Sequence, residues 1–437
     1  MNHRLHNDCA PRPTSDDTLS DRSSDSSRRY IGHMKSVELF GGAGGLALGI
    51  GLAGFETQAF VEWDRWACDT VRENSSSGYG LVENWPVFEG DVRSFDWSSI
   101  TTSTDLVAGG PPCQPFSMGG KARAADDSRD MFPAAAEVIR ALKPRALLLE
   151  NVRGLTRTTF ANYYQLILLR LQMPELVARD GESWFEHLQR LQAEATSTHT
   201  ADLNYKIAPT LVNAADYGVP QQRHRVFIVG YRSDVPAEWS FPAPTHSLDA
   251  LLYAQWISGE YWDRHRVTKS RRPTISPRMT ARIQTLRSVD AADLGKPWRT
   301  VRDALVGLPS PTSRSNGAHL NHRLQTGARS YAGHTGSPVD MPAKALKAGG
   351  HGVPGGENML RTVDGSVRYF TIRESARLQT FPDRYELHGS WSEAMRQLGN
   401  AVPVLLAQKV ASSVAEHLAL AEFRTKTASR MSMLATA

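Results

Sequence analysis

Residues 36–45 read Ser36-Val37-Glu38-Leu39-Phe40-Gly41-Gly42-Ala43-Gly44-Gly45, a short, largely apolar run that breaks into a glycine turn. Residues 46–53 then carry a helical pattern, and Gly54 supplies a stop, because glycine takes the left-handed cap conformation at little steric cost. Strand, glycine turn and helix form the opening unit, and the same alternation continues outward. Residues 57–61 predict a second strand ending at Glu62. Residues 106–108 and 146–149 predict two more, with a helix over 131–142 between them, and 226–229 a further buried strand. Strands alternating with helices predict an α/β fold with a parallel sheet covered on both faces. Ligands in such sheets sit at the carboxyl ends of the strands.

The flanking segments differ in composition. Residues 1–33 are rich in Ser, Asp, Arg and Pro and nearly free of branched apolar side chains, so they read as a disordered tail, and Met34 is a second candidate start. Residues 172–204 form a polar, amphipathic stretch containing Trp184, Phe185, Leu188 and Leu191, which reads as a helical insertion. From about 241 to 365 the periodicity fades, and six of the fourteen histidines fall there. This segment reads as a second, smaller domain of irregular loops and short strands. A helical pattern returns over 401–421.

Bulk properties narrow the function classes. The chain has 437 residues, 41% hydrophobic and 22% charged, as in ordinary globular proteins. No apolar run reaches the roughly 18 residues of a membrane span, and the first thirty lack a secretory core, so a cytoplasmic protein with no membrane partner is expected. The three cysteines, Cys9, Cys68 and Cys113, show no paired spacing, so neither a disulfide framework nor a metal site is expected. The formal charge is +5, but residues 243–360 hold 16 Lys and Arg against 8 Asp and Glu. That segment carries +8 and leaves about −3 for the rest. Concentrated positive charge suits docking on phosphates; a solvated basic face explains it equally well on charge alone.

The strand ends carry the chemistry. Glycines at 41, 42, 44 and 45 let backbone approach a ligand closely. Glu62, twenty residues beyond Gly42, is placed to accept ribose hydroxyls. Trp63 offers a flat face to an adenine ring, and Asp91 an acceptor for its amino group, although a core tryptophan and a helix-capping aspartate are the plain alternatives. The order of the three favours a nucleoside. Gly109-Gly110-Pro111-Pro112-Cys113-Gln114-Pro115-Phe116-Ser117 follows a strand, and its prolines stiffen the turn that presents the thiol. Glu150-Asn151-Val152 ends another strand, with Glu150 as a candidate acid and hydrogen-bond donor. Arg223 and Arg225 alternate ahead of the strand over 226–229, which predicts both side chains on one face.

These motifs resemble the bacterial-type cytosine-C5 DNA methyltransferase family. The matching strings are FGGAGG at 40–45, EW at 62–63, GD at 90–91, GGPPCQPFS at 109–117, ENV at 150–152, QQRHR at 221–225, RESARLQTFPD at 373–383 and GNAVPV at 399–404. They span most of the chain beyond the tail. The proline-cysteine string is highly specific and the glycine loop is not.

The resemblance implies a Rossmann-like sheet that binds S-adenosylmethionine, with a smaller target-recognition domain. It implies Cys113 as nucleophile, with Glu150, Arg223 and Arg225 as its catalytic partners. Phe40, Gly42, Gly44, Gly45, Glu62, Trp63, Asp91, Pro112 and Asn400 would hold the cofactor. Double-stranded DNA would be the partner, contacted by Ser117, Lys121 and Arg123 from a loop that closes over an extruded cytosine. Arg264, Arg266, Lys269, Arg271 and Arg272 would meet phosphates, and Gly350 and Gly352 would approach a groove. Arg373, Glu374, Arg377 and Gln379 are expected to organise the structure rather than catalyse.

The implied layout is a tail at 1–33, a catalytic and cofactor-binding domain at 34–243, a target-recognition domain at 244–388 and a returning segment at 389–437. A monomeric, cytoplasmic, nucleoid-associated enzyme of a restriction-modification system follows, with any cognate endonuclease acting separately. Two rivals stand beside this reading: a tRNA cytosine methyltransferase and a catalytically silent DNA-binding regulator. The stretch of over a hundred residues in the recognition position disfavours the first, and intact Cys113, Glu150 and Arg225 the second.

Overall fold

The computed structural model describes residues 34–112, 130–197, 202–313, 319–331, 335–349 and 356–435. The 1–33 tail, Cys113, Ser117, Lys121, Arg123, Gly350 and Gly352 therefore lie outside the described residues.

Strand β1 (Lys35–Leu39) leads through the glycine turn to helix α1 (Gly45–Leu52) and β2 (Glu56–Glu62). Helix α2 (Arg65–Ser76), β3 (Val87–Glu89), β4 (Leu106–Gly109), α3 (Phe132–Leu142) and β5 (Ala146–Val152) follow. Next come α4 (Ala161–Gln172), α5 (Trp184–Ala195), β6 (Tyr205–Asn213), the two-residue β7 (Gln221–Gln222) and β8 (His224–Arg232). Seven of these strands form one sheet in the order β3-β2-β1-β4-β5-β8-β6.

Strands β1 to β5 are parallel, but β8 runs antiparallel to both neighbours, which corrects the all-parallel expectation. The reason is connectivity. Only residues 214–223 separate β6 from β8, too few for the helical crossover that a parallel pair needs, so the chain reverses. Strand β6 was not foreseen. It is a sheet edge with Pro209 in mid-strand and alternating exposure, a composition tolerated only at an edge.

The two faces of the sheet follow from the period of two. Val37, Leu39, Val107, Leu147 and Leu149 pack under α3, α4 and α5. Leu106, Ala108, Ala146 and Leu148 pack under α1 and the long helix near the C-terminus, through its Leu406, Ala407, Val410, Ala411 and Val414. A Cβ on Gly49 of α1 would stand 2.4 Å from the Ala407 Cβ, so glycine is what lets these helices touch.

Glu38, on central strand β1, is fully buried, and burial pushes its carboxyl up to about 8 from an ordinary 4.5. Below pH 4.5 both folded and unfolded chains are protonated there. Between 4.5 and 8 only the unfolded chain ionises, so stability drains as pH rises, by ~1.4 kcal/mol per unit. Glu38→Gln is expected to lose this dependence. Its advantage over wild type in urea unfolding should widen by ~3–5 kcal/mol between pH 5 and pH 8; a constant difference would mean the native carboxyl is ionised.

The second region is more helical than its sequence suggested. It contains α6 (Leu248–Trp256), α7 (Glu260–Arg264), α8 (Pro277–Leu286) and α9 (Val301–Leu305) around small cores built on Leu251, Tyr261 and Trp262 and on Leu252, Ile283 and Leu286. These helices are too short for a clear apolar stripe, but their starts were marked: Ser247, Ser276 before Pro277, and the Thr300–Asp303 capping box. Helix α10 (Ile372–Leu378) leads back. Phe381, Tyr385 and Leu387 pack with Ala43, Leu48 and Phe60, so the chain rejoins the catalytic core ahead of residue 389. Helices α11 (Trp391–Asn400) and α12 (Val404–Ala435) complete the chain. Among the described residues no helix is long and apolar enough to cross a membrane.

Candidate active site

The parallel strands deliver the glycine loop, Glu62, Gly109 to Pro112 and Glu150 to one edge of the sheet, in the crevice where ligands bind α/β sheets. The glycine loop is tightly bent. Phe40 has φ of 54°, a conformation uncommon for a non-glycine residue. Gly42 and Gly44 have φ of 55° and 83°. A Cβ on Gly45 would stand 2.4 Å from the Val402 carbonyl, so the segment following Asn400 lies against the loop, as expected. Asn400 itself is exposed at the end of α11.

Glu62 is buried, and both of its carboxylate oxygens are engaged. Gly42 N–H donates to Oε2 at 2.7 Å, and Trp63 and Asp64 N–H donate to Oε1 at 2.9 and 2.7 Å. Burial raises this carboxyl above its ordinary range against those amides. Oε2, with one bond made, keeps a lone pair for a hydroxyl. Trp63 is 78% exposed, which rules out the core reading and leaves its face free among the described residues. Asp91 takes the capping role: it accepts the Arg93 amide at 2.9 Å and pairs with the Arg93 guanidinium, which holds its carboxyl low. A ligand there shares Asp91 with Arg93.

Glu150 lies at the other side of the crevice. Its Oε1 is 2.7 Å from Arg225 Nε, and a Cβ on Gly110 would stand 3.6 Å from its Oε2. The pair sits beneath the turn that leads to Cys113. Burial raises the Glu150 carboxyl, opposed by the charges of Arg225 and Arg223. Pairing of Val152 with Arg225 across β5 and β8 sets this contact.

Arg223 does not join the pair, contrary to the one-face expectation. It sits between β7 and β8, where the chain leaves a small sheet with Ala343 and Lys344 for the main one. Fully buried, it donates to the carbonyls of Leu346, Gly399 and Ala401 at 3.0, 2.7 and 2.9 Å. It ties the second region to the cofactor side and reaches Glu150 only through its charge.

Asn151, in the same motif, has a task that the sequence reading does not assign. Its Nδ2 donates to the Pro111 carbonyl at 2.9 Å and so holds the front of the cysteine turn to β5. An amide beside a candidate acid at a strand tip was the available signal. Arg373, Arg377 and Gln379 behave as organisers, donating to carbonyls of Leu320, Pro382 and Tyr385, of Ala304 and Val306, and of Leu398 and Ala401. Glu374 closes a capping box with Thr371.

In the basic segment Arg266, Lys269 and Arg271 are exposed. Arg264 is also exposed but pairs with Asp303 at 3.0 Å, and Arg272 lies over the Trp262 ring.

A sheet with an antiparallel strand inserted beside β5, carrying a bent glycine loop, an exposed aromatic and a buried acid at the ends of its parallel strands, has the architecture of an α/β enzyme that binds its ligand in that crevice. Residues 34–173 and 187–416 match the family described as C-5 cytosine-specific DNA methylase. The chain belongs to this family: it is a DNA (cytosine-5) methyltransferase whose methyl donor is S-adenosylmethionine.

The chain is 30% identical over 384 residues to type II methyltransferase M.PspPI of Psychrobacter sp. (strain TA137), covering 86% of this chain and 78% of that one. It is 30% identical over 387 residues to type II methyltransferase M.NgoMIV of Neisseria gonorrhoeae, covering 88% and 97%. The solved S. pombe Dnmt2 methyltransferase shares the fold at 17% identity, with a TM-score of 0.51 over 88% of this chain and 98% of that one.

Proposed function

We propose that this enzyme methylates cytosine within a specific sequence of double-stranded DNA through a covalent Cys113 adduct. The observation that carries the reading is the buried Glu150–Arg225 pair beside Gly110, in the stretch that leads to Cys113. S-adenosylmethionine supplies an electrophilic methyl group when bound. The residues fit it: an exposed indole follows a buried carboxylate, and the open face of Gly42, where a Cβ would meet nothing within 4 Å, adjoins both. Phe40, Gly42, Gly44, Gly45, Glu62, Trp63, Asp91, Pro112 and Asn400 would hold it.

Stacked DNA hides C6, so the target base leaves the helix. The Cys113 thiolate adds to C6, and the displaced π electrons make C5 nucleophilic. Glu150, whose carboxyl burial raises, gives its proton to N3 as charge builds on the ring. Arg225 fixes the orientation of Glu150 and then balances the carboxylate left behind. After C5 is substituted, a base removes its proton, the C6–sulfur bond breaks, the thiolate leaves and N3 returns the proton to Glu150.

The basic surface between the catalytic strands and α10 supports duplex DNA as the substrate. The two type II relatives support a modification role in a restriction-modification system; in this reading the enzyme acts as a monomer and any endonuclease acts separately. Transfer of a tritiated methyl group to duplex DNA but not to tRNA is expected; label on tRNA alone would defeat the proposal. Replacing Arg266, Lys269 and Arg271 together by alanine should weaken binding at every sequence alike. It should also flatten the slope of log affinity against log salt by ~2–3, about 0.9 per lost phosphate contact. An unchanged slope would remove these side chains from the interface.

A further inference from the structure

Two exposed basic residues, Arg153 and His224, stand at the edge of the sheet that holds Glu150. Antiparallel pairing of β5 with β8 opposes Glu150 to Phe227, Asn151 to Val226 and Val152 to Arg225. One step further along that ladder sets Arg153 opposite His224. The short turn Arg153–Thr156, which carries on from β5, lies against β8. His224 is tied in turn to the Glu150–Arg225 pair, because Arg225 Nη1 donates to its carbonyl at 2.8 Å.

Among the described residues no carboxylate pairs with the Arg153 guanidinium, and no side chain bonds the His224 ring. The charges facing that ring come from Arg153 in the turn after β5, from Asp216 in the link after β6, and from Arg225 beside it on β8. Asn213, opposite His224 on β6, adds none, and Arg223 aims its guanidinium at buried carbonyls. Asp216 accepts Trp298 Nε1 at 2.9 Å, and its carbonyl accepts the Thr245 amide at 2.9 Å. His224 therefore stands where the catalytic sheet meets the basic second region. Partial desolvation and the two arginines hold its imidazole below the ordinary 6.5, against Asp216, so the free enzyme carries a neutral ring at neutral pH.

We infer that Arg153 and His224 together grip the phosphodiester backbone beside the extruded nucleotide, with His224 bound as the imidazolium. An extruded cytosine stays joined to its strand on both sides, so the backbone that delivers it to Glu150 and Arg225 passes the residues flanking that pair. A phosphate there offers one oxygen to the guanidinium and one to the imidazole. Its negative charge offsets the arginines and favours the protonated ring, so binding draws a proton from solvent. Both residues position the strand; neither reacts with the base. The inference rests on duplex DNA being the substrate.

The test uses the full chain without methyl donor and a plasmid fragment chosen because wild type labels it. Affinity is measured from pH 6 to 8 at fixed salt, and across salt at fixed pH. The bound imidazole has the higher pKa, so affinity is greatest at low pH and falls as pH rises through that value. Wild type is expected to lose roughly 3–10-fold across this range, and His224→Gln to lack that dependence. Arg153→Gln should flatten the slope of log affinity against log salt by ~0.9, one phosphate contact, while Arg153→Lys keeps it. Variants that match wild type in both profiles overturn the grip. So does weakened binding with both profiles unchanged, which would mark a merely structural role. Wild type that binds and labels no duplex would instead sink the duplex reading, a failure distinct from wild-type binding that the variants match.

Discussion

Cys113→Ala is expected to lower methyl transfer by roughly 10⁴-fold or more, because without addition at C6 the C5 carbon has no electron density to offer and the two-step route closes. The measurement is tritium incorporation into duplex DNA beside isothermal titration with S-adenosylmethionine. Incorporation should vanish while cofactor affinity stays within about twofold of wild type, since the cofactor-side residues Gly42, Glu62 and Trp63 belong to other strand ends. Retained transfer in the variant would refute the mechanism. The substitution removes one sulfur and adds no bulk, so the loss reports chemistry rather than packing.

Glu150→Gln is expected to lower the single-turnover rate by roughly 10²–10⁴-fold, the range of a lost general acid. The amide still offers a hydrogen bond to N3 but cannot yield a proton. The pH profile separates the roles. Burial raises the Glu150 carboxyl, so the proton-bearing form prevails below that raised value and is lost as pH climbs through it. The wild-type rate should therefore fall on the alkaline side with a limb that Glu150→Gln lacks. The same limb in both enzymes would assign the titration to another group and remove Glu150 as the proton donor. Arg225, 2.7 Å away, meets an amide in place of the carboxyl in this variant. Unfolding must be recorded alongside the rate.

The strand-turn-helix unit at 36–53 was legible because its signals are local: an apolar run, glycines where φ turns positive and a stop at Gly54, which takes φ of 99°. The capping aspartate at 91 was legible as an alternative for the same reason. The small helices α8 and α9 were marked by Ser276, Pro277 and Thr300, yet their ten and five residues give periodicity too little length to register. Strand β6 failed for the opposite reason: an edge strand buries little, so its sequence alternates without becoming apolar.

The sequence alone determined which residues bend and which strands pack on both faces, and it marked the side chains proposed to carry chemistry, since each depends on near neighbours along the chain. The tertiary structure decided direction. Arg225 stands at the beginning of its strand, and had β8 run parallel to β5 it would stand at the opposite edge from Glu150. Reversal of β8 after the short link from β6 brings its beginning to the end of β5, and the pair forms across Val152 and Arg225. The same link turns Arg223 inward to carbonyls 123 to 178 residues away. Such contacts follow from how the chain closes on itself, which no local preference encodes.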